Sequence, residues 1–185
     1  MRIAHTLFVA LALAGTGSLA AADSNVLQNG DFSQQSQLTG WSCLGGSWNS
    51  DDANSDASSG SMWLQNFGFN AGQCTSACMA VRPSAAYSVG GQSRILFGNP
   101  VITFACASTD TTTCNNFTYN IPGPAMSTAN SWSAPVSAFG HLGSGDHSVK
   151  CAVTLGSQDL GSISGHFDNL FFTTDVVFFD GFEVQ

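Results

Sequence analysis

Six cysteines are the residues of this sequence with the clearest chemistry. An even number of cysteines in a chain that begins with an export signal predicts three disulfides. A zinc site is the alternative, but it needs close Cys or His pairs, and Cys74 and Cys78 form the only tight pair. Because Cys106 and Cys114 flank a turn-rich stretch, we predict that these two pair with each other. The six are Cys43, Cys74, Cys78, Cys106, Cys114 and Cys151.

A second set of side chains has the types that bind sugars. Sugar recognition uses flat aromatic faces that stack on the ring, beside planar polar groups that hydrogen-bond to hydroxyls. Trp48 lies in a polar stretch, and Tyr119 is flanked by amides. Gln92 and Arg94 point to the same face of a predicted strand. We predict these four residues as ligand-binding; the alternative for each is a surface role, and for Trp48 a lid over the core.

Patterns for catalysis are missing from the sequence. His141, His147 and His166 show no metalloprotease spacing, and no Gly-x-Ser-x-Gly elbow occurs. A glycosidase needs two carboxylates at a set separation, whereas most Asp residues here lie in turns. Oxidised cysteines would offer no thiol nucleophile. The sequence therefore predicts no enzyme activity.

Composition excludes two further classes. The 185 residues include 4 basic and 12 acidic side chains, with a formal net charge of −8. So few basic residues cannot neutralise a phosphate backbone, so we expect no nucleic-acid partner. Charged residues make up only 9% of the chain, too few for the solvent faces of a helical bundle.

The N-terminus predicts export. Residues 1–22 contain a short polar start, an apolar run and small residues at the cleavage positions, which is the pattern of a signal peptide. A membrane anchor is the alternative, but the apolar run is shorter than the ~20 residues that cross a bilayer. We predict a secreted, periplasmic or cell-surface protein with no transmembrane segment in the mature chain. Residues 23–173 are predicted as one domain and residues 174–185 as an apolar tail.

Apolar and polar residues alternate along several short segments, which is typical of half-buried strands. The alternation is clearest in Tyr87–Ile95 and Ser148–Leu155, and clusters of Gly, Asn, Asp, Ser and Pro separate the segments. Many short strands with turns between them predict an all-β antiparallel β-sandwich or barrel.

Several of these segments appear in an order that resembles one family. The opening Asn25–Phe32 with Gly40-Trp41, the unit Cys78–Val89, and the closing Phe167–Phe172 resemble galactose-binding-like jelly-roll domains, which include many bacterial carbohydrate-binding modules. The resemblance implies an antiparallel jelly-roll sandwich. It also implies that Trp41 and Trp132 lie in the core.

The family resemblance also bears on calcium. Members often carry Glu after the first Phe, where this chain has Ser33, and two acids in the closing strand, where it has Asp168-Asn169. Two interpretations stay open. Asp31 and Asp168 hold a structural calcium, or Asp31 is a turn residue and Asp168 a strand-end cap. Calcium takes 6–8 oxygen ligands, and one carboxylate at each end is few.

The predicted function is a secreted, non-catalytic binding module for an extracellular or cell-wall glycan. One alternative is a structural or interaction protein of the cell surface that uses its strand-prone tail, Val176–Glu183, for assembly. Another is a polysaccharide-degrading enzyme. The partner in the first two cases is a glycan or a cell-surface component.

Overall fold

The computed structural model describes residues 24–34, 37–66, 71–115, 119–157 and 161–175. The predicted signal peptide and the tail from residue 176 onward lie outside these residues. Within them the chain forms twelve strands and no helix, and so no helix that could cross a membrane. The strands are β1 (Ser24–Asn25), β2 (Trp41–Leu44), β3 (Gly46–Asn49), β4 (Ser61–Asn66), β5 (Gly72–Ser76), β6 (Met79–Ala80), β7 (Ala86–Phe97), β8 (Pro100–Thr109), β9 (Ile121–Pro122), β10 (Val136–His141), β11 (Ser148–Ser157) and β12 (Ile163–Thr174).

The strands form two antiparallel sheets. Sheet A has the order β10-β7-β12-β4-β3, with β1 paired to β12. Sheet B has the order β2-β5-β11-β8-β9, with β6 paired to β11. The predicted all-β antiparallel sandwich is confirmed.

Side chains from the inner faces of both sheets fill the core. Val89 and Ile95 of β7 are buried there, as the alternation along this strand predicted. From sheet B, β11 contributes Val149, Val153 and Leu155, all 0% exposed. The period of two therefore separates a core side from an outer side on each long strand.

Three disulfides link the six cysteines, as predicted, but the predicted Cys106–Cys114 pair is wrong. Cys106 bonds to Cys151, Cys114 bonds to Cys78, and Cys43 bonds to Cys74. The reason is strand pairing, because Cys106 of β8 lies directly opposite Cys151 of β11. Cys43 of β2 likewise lies opposite Cys74 of β5.

The register of sheet A determines which side chains share its outer face, the face turned away from sheet B. Residues directly opposite one another in an antiparallel pair point to the same side. Arg94 of β7 lies opposite His166 of β12, and His166 lies opposite Trp63 of β4. At the other end of β7, Ser88 lies between Phe139 of β10 and Thr173 of β12.

Candidate functional site

A group of aromatic and charged side chains occupies one end of the outer face of sheet A. We call it the polar cluster. His166 lies at its centre and is only 3% exposed, whereas the other members are half-buried. The polar cluster consists of Asp51, Trp63, Arg94, Trp132 and His166.

Strand register and one loop bring the polar cluster together. The row Trp63, His166 and Arg94 follows from the pairing of β4, β12 and β7. Trp132 comes from the segment before β10, which continues along the edge of β7. The Ser133 N–H donates to the Ser93 carbonyl (3.0 Å), and the Ile95 N–H donates to the Ala129 carbonyl (3.0 Å).

Two indoles enclose the imidazole of His166. Trp63 is stacked on His166, with ring centroids 6.3 Å apart and an interplanar angle of 14°. Trp132 meets it edge-on, with centroids 6.2 Å apart and an angle of 68°. Burial lowers the pKa of His166, Asp51 raises it, and Arg94 lowers it. The lowered pKa favours the neutral imidazole.

Asp51 and Arg94 form the charged rim of the polar cluster. An Arg94 guanidinium nitrogen lies 2.7 Å from an Asp51 carboxylate oxygen, and each side chain is 31% exposed. The same carboxylate oxygen lies 3.9 Å from His166 Nε2. This pair presents both a donor and an acceptor to solvent beside two aromatic rings.

Three N–H donors in the polar cluster are buried without a hydrogen-bond acceptor among the described residues. They are Trp63 Nε1, Trp132 Nε1 and Arg94 Nε. A buried donor without an acceptor costs about 1–3 kcal/mol. These three donors therefore lower the stability of this region, whereas the groups that solvent can reach are the Asp51 carboxylate and the Arg94 guanidinium.

Gln92 and Arg94, both predicted as ligand-binding, lie on the same outer face of β7. Gln92, however, is only 7% exposed. Its amide nitrogen donates to the Ser133 carbonyl (2.8 Å), and its oxygen accepts from the Asn169 side chain (2.7 Å). Gln92 thus positions the loop that carries Trp132, whereas the Arg94 side chain is 31% exposed.

The structure does not bring Trp48 and Tyr119 to the polar cluster. Trp48 is half-buried against the core and its Nε1 donates to the Phe32 carbonyl (3.0 Å), which matches the lid alternative. Tyr119 is 41% exposed and interacts with Thr75 on the outer face of sheet B. The four predicted residues therefore lie in three separate places.

The two predicted calcium ligands do not share one ligand set. Asp31 is exposed, and its carboxylate accepts from the Ser33 N–H and hydroxyl (3.4 and 3.2 Å). Asp168 is fully buried and accepts from the N–H groups of Ala53 (2.9 Å) and Asn169 (2.6 Å). Among the described residues no group of three or more His, Cys, Asp or Glu could hold a metal ion. Calcium at Asp31 and Asp168 stays a prediction.

Asp168 instead interacts with the carboxyl group of Asp52, which is 8% exposed. The pKa of Asp168 is raised to about 7, mainly by burial and also by Asp52, against the lowering effect of two backbone N–H donors. Two buried carboxyls in contact are stable when they share a proton. The pair therefore anchors the loop before β4 to β12.

Ser61 lies beneath the polar cluster and forms a row with His166 and Asp51, but it is not an accessible nucleophile. Ser61 Oγ lies 2.8 Å from His166 Nδ1, with Asp51 beyond the second ring nitrogen. Ser61 is, however, 0% exposed. A nucleophile must reach the substrate atom that it attacks. This arrangement can orient His166, but it gives Ser61 no route to a substrate.

Sequence reasoning missed Trp63, Trp132 and His166 as members of a site. Trp132 was expected in the core, but it packs against His166 on the outer face. One signal was available, because Trp63 occupies the polar phase of β4, between the buried Met62 and Leu64. A tryptophan on the solvent side of an alternating strand indicates a surface role.

No family model matches this sequence, and no curated protein matches it. Solved structures with a similar fold do exist. One is a family 16 carbohydrate-binding module (14% identity, TM-score 0.57, covering 80% of this chain and 99% of that chain). Another is a family 61 module in complex with β-1,4-galactotriose (13% identity, TM-score 0.53, covering 80% and 97%).

A third similar structure is the enzymatically active domain of tailspike protein 4 of bacteriophage CBA120 (16% identity, TM-score 0.62). The match covers 81% of this chain but only 21% of the tailspike chain, so this chain spans about a fifth of that structure. At these identities the similarity concerns the fold. The chain has the jelly-roll sandwich of carbohydrate-binding modules, as the resemblance to galactose-binding-like domains implied.

Proposed function

We propose that this protein is a secreted, non-catalytic module that binds a glycan at the polar cluster. The observation that carries the proposal is the placement of two half-buried indoles, Trp63 and Trp132, beside the Asp51–Arg94 pair, whose side chains are each 31% exposed. Sugar hydroxyls and ring oxygens are acceptors, and the apolar ring faces of pyranoses pack on indoles. The cluster therefore combines the two kinds of contact that a sugar uses.

The charge of the chain narrows the ligand class. A net charge of −8 repels polyanions at low salt, so neutral glycans are favoured over polyuronates. The charged rim of Asp51 and Arg94 offers one acceptor and one donor group to adjacent hydroxyls. We therefore assign a neutral, hydroxyl-rich polysaccharide as the ligand class.

Support for a non-catalytic role comes from the polar groups that might have reacted. Ser61 is fully buried, and the Asp52 and Asp168 carboxyls are buried in contact with each other. Glycosidase carboxylates instead flank the scissile bond in an open cleft. Three disulfides and no free cysteine among the described residues fit an oxidising compartment outside the cytosol.

The test is retention of the mature chain by neutral polysaccharides in affinity electrophoresis, followed by calorimetry with oligosaccharides of any polymer that retards it. Trp132→Ala and Arg94→Gln should each weaken binding about tenfold, because the first removes an aromatic packing surface and the second removes the guanidinium charge of the rim. Tyr119→Ala on sheet B is the matched control and should change the affinity less than twofold. Thermal unfolding of each variant shows whether the fold is intact.

A second surface is the main competitor for the same ligand. The outer face of sheet B exposes 41% of Tyr119, 43% of Val101 and 71% of Leu44. If Tyr119→Ala abolishes retention while Trp132→Ala and Arg94→Gln preserve it, the polar cluster is the wrong site. Absence of retention on every neutral polymer would remove the glycan-binding proposal itself.

A further inference from the structure

Asn169 lies at a β-bulge of β12, on the outer face of sheet A beside the polar cluster. The pairing of β12 with β7 shifts its register between Asp168 and Phe171, because β12 carries one extra residue there. Asn169 has a φ angle of 49°, in the left-handed region, which asparagine adopts more readily than most residues. A bulge changes the direction of a side chain. Here the Asn169 side chain meets Gln92 of β7.

Asn169 belongs to a chain of hydrogen-bonded amides, which we call the amide relay. Gln92 Nε2 donates to the Ser133 carbonyl (2.8 Å). Asn169 Nδ2 donates to Gln92 Oε1 (2.7 Å), and Asn54 Nδ2 donates to Asn169 Oδ1 (3.4 Å). The amide relay thus consists of the Ser133 carbonyl and the side chains of Gln92, Asn169 and Asn54. Its bond to Asn54 is long and exposed, so the two shorter bonds contribute most to it.

The Ser133 carbonyl determines the direction of every bond in the amide relay. A carbonyl can only accept, so Gln92 turns its NH2 group towards Ser133 and its oxygen towards Asn169. Asn169 therefore donates to Gln92 and accepts from Asn54. Each side-chain amide must be a donor on one side and an acceptor on the other. Neither a carboxylate nor an apolar group meets that requirement.

The amide relay connects two loops that contribute side chains to the polar cluster. Loop 123–135, between β9 and β10, contains Trp132 and the Ser133 carbonyl. Loop 50–60, between β3 and β4, contains Asp51 and the last member of the relay. The relay is therefore a link between the loop of an aromatic member and the loop of a charged member.

The backbone of Asn169 makes a second link to loop 50–60. Its N–H donates to one Asp168 carboxylate oxygen (2.6 Å), and the other oxygen of that carboxylate accepts from the Ala53 N–H (2.9 Å). Asn169 is thus bonded on one side to Gln92 and on the other side, directly and through Asp168, to loop 50–60.

We propose that Asn169 is a positioning residue of the glycan site, an inference that rests on glycan binding at the polar cluster. Through the amide relay it keeps Trp132 and the Asp51–Arg94 pair beside each other before a ligand binds. A site whose loops are already ordered binds more tightly, because the ligand does not have to order them. Asn169 acts through the relay and does not itself contact the ligand.

Asn169→Gly separates positioning from backbone conformation, because glycine keeps the left-handed backbone and removes the side chain from the relay. The first measurement needs no ligand. Hydrogen exchange of the buried Trp132 indole N–H, followed by NMR, should become about tenfold faster in this variant, because loop 123–135 opens more often. The indole N–H groups of Trp41 and Trp48 donate to backbone carbonyls elsewhere and should keep their wild-type rates.

The second measurement is calorimetry with an oligosaccharide of any neutral polymer that retains the wild type. Asn169→Gly should weaken binding about fivefold, because the two shorter bonds of the relay lead to the loop of Trp132. In a Trp132→Ala background the same substitution should weaken binding less than about twofold, since the ring that the relay positions is gone.

Asn29→Gly is the matched control for both measurements. Asn29 also has a left-handed backbone, with a φ angle of 50°, but its side chain bonds to Gln34 and Gln37, away from the polar cluster. This substitution should leave the Trp132 exchange rate and the glycan affinity unchanged.

Wild-type exchange and affinity in Asn169→Gly would overturn the proposal, because Asn169 would then have a backbone role alone. Equal acceleration at Trp41, Trp48 and Trp132 would also overturn it, since that result reflects a general loss of stability. If no neutral glycan binds the wild type, the proposed function fails, whereas faster exchange at Trp132 alone would still support the link between Asn169 and loop 123–135.

Discussion

The two sheets of the sandwich are stabilised in different ways. All three disulfides lie on the side of sheet B, two of them joining neighbouring strands, β2 with β5 and β8 with β11. Sheet A has no disulfide among its described strands. Its outer face instead carries the polar cluster at one end and the exposed Phe139 at the other.

This difference indicates that the two sheets have different roles in the sandwich. Covalent links reduce the entropy of the unfolded chain whatever the outer surface is used for. Buried donors without acceptors lower the stability of the folded protein. Sheet B thus stabilises a fold in which sheet A can keep features that are locally unfavourable.

The largest effect is expected from the buried disulfide of sheet B. Replacing both Cys106 and Cys151 by Ala opens a loop of 45 residues and should lower the free energy of unfolding by about 4 kcal/mol in urea. The bond between Cys78 and Cys114 closes a loop of 36 residues, so loop entropy predicts a nearly equal loss for its removal. Losses below about 1 kcal/mol for both would contradict the assigned role of sheet B.

On sheet A, Gly90 should be the most sensitive small residue. A Cβ there would meet the Val136 carbonyl of β10 and the Phe171 ring of β12. Gly90→Ala should therefore lower the free energy of unfolding by about 1–3 kcal/mol, because the backbone of Val136 cannot move aside. Gly145→Ala is the control, since nothing lies within 4 Å of its added Cβ. Equal unfolding midpoints for the two variants would show that the neighbouring strands move enough to accommodate the added Cβ.

Asp168 should make stability depend on pH. The folded pKa of about 7 lies above the ordinary 3.8, so the folded state keeps a proton that the unfolded state has already released. The stabilisation is therefore complete below pH 3.8 and is lost as the pH rises through 7. Between pH 5 and pH 8 we expect the free energy of unfolding to fall by about 2–3 kcal/mol.

The measurement is the difference in urea midpoint between the wild type and Asp168→Asn across this range. The comparison with the variant is needed because His166 also changes stability with pH. Burial lowers its pKa, so its contribution to stability increases with pH below its ordinary pKa of 6.5, which is opposite to the effect of Asp168. Asp31→Asn serves as the exposed control. A wild type and an Asp168→Asn variant with parallel pH profiles would show that Asp168 is ionised throughout.

Strand positions could be predicted from local pattern because burial alternates with period two. The segments Tyr87–Ile95 and Ser148–Leu155 lie within β7 and β11. The common outer side of Gln92 and Arg94 followed from the same rule. The disulfide partners could not be predicted in this way, because Cys106 and Cys151 are 45 residues apart and become neighbours only through the pairing of β8 with β11.

The members of the candidate site were even less predictable from local sequence pattern than the disulfide partners. Trp63, Arg94 and His166 come from three strands that are far apart in the chain but adjacent in sheet A. Trp132 joins them because its loop follows the edge of β7, a contact that no local pattern contains. Trp48, in contrast, had the local features of an exposed residue, yet it packs on the core because β3 turns it inward beside Met62.

The sequence by itself determined that this chain forms strands with one buried side, that its cysteines pair, and that its composition does not suit a nucleic-acid partner. These properties depend on residue type, on counts and on neighbours along the chain. Tertiary structure alone decided which cysteines meet and which aromatic rings surround His166. Those outcomes depend on strand order and register, which are set by the packing of the whole sandwich.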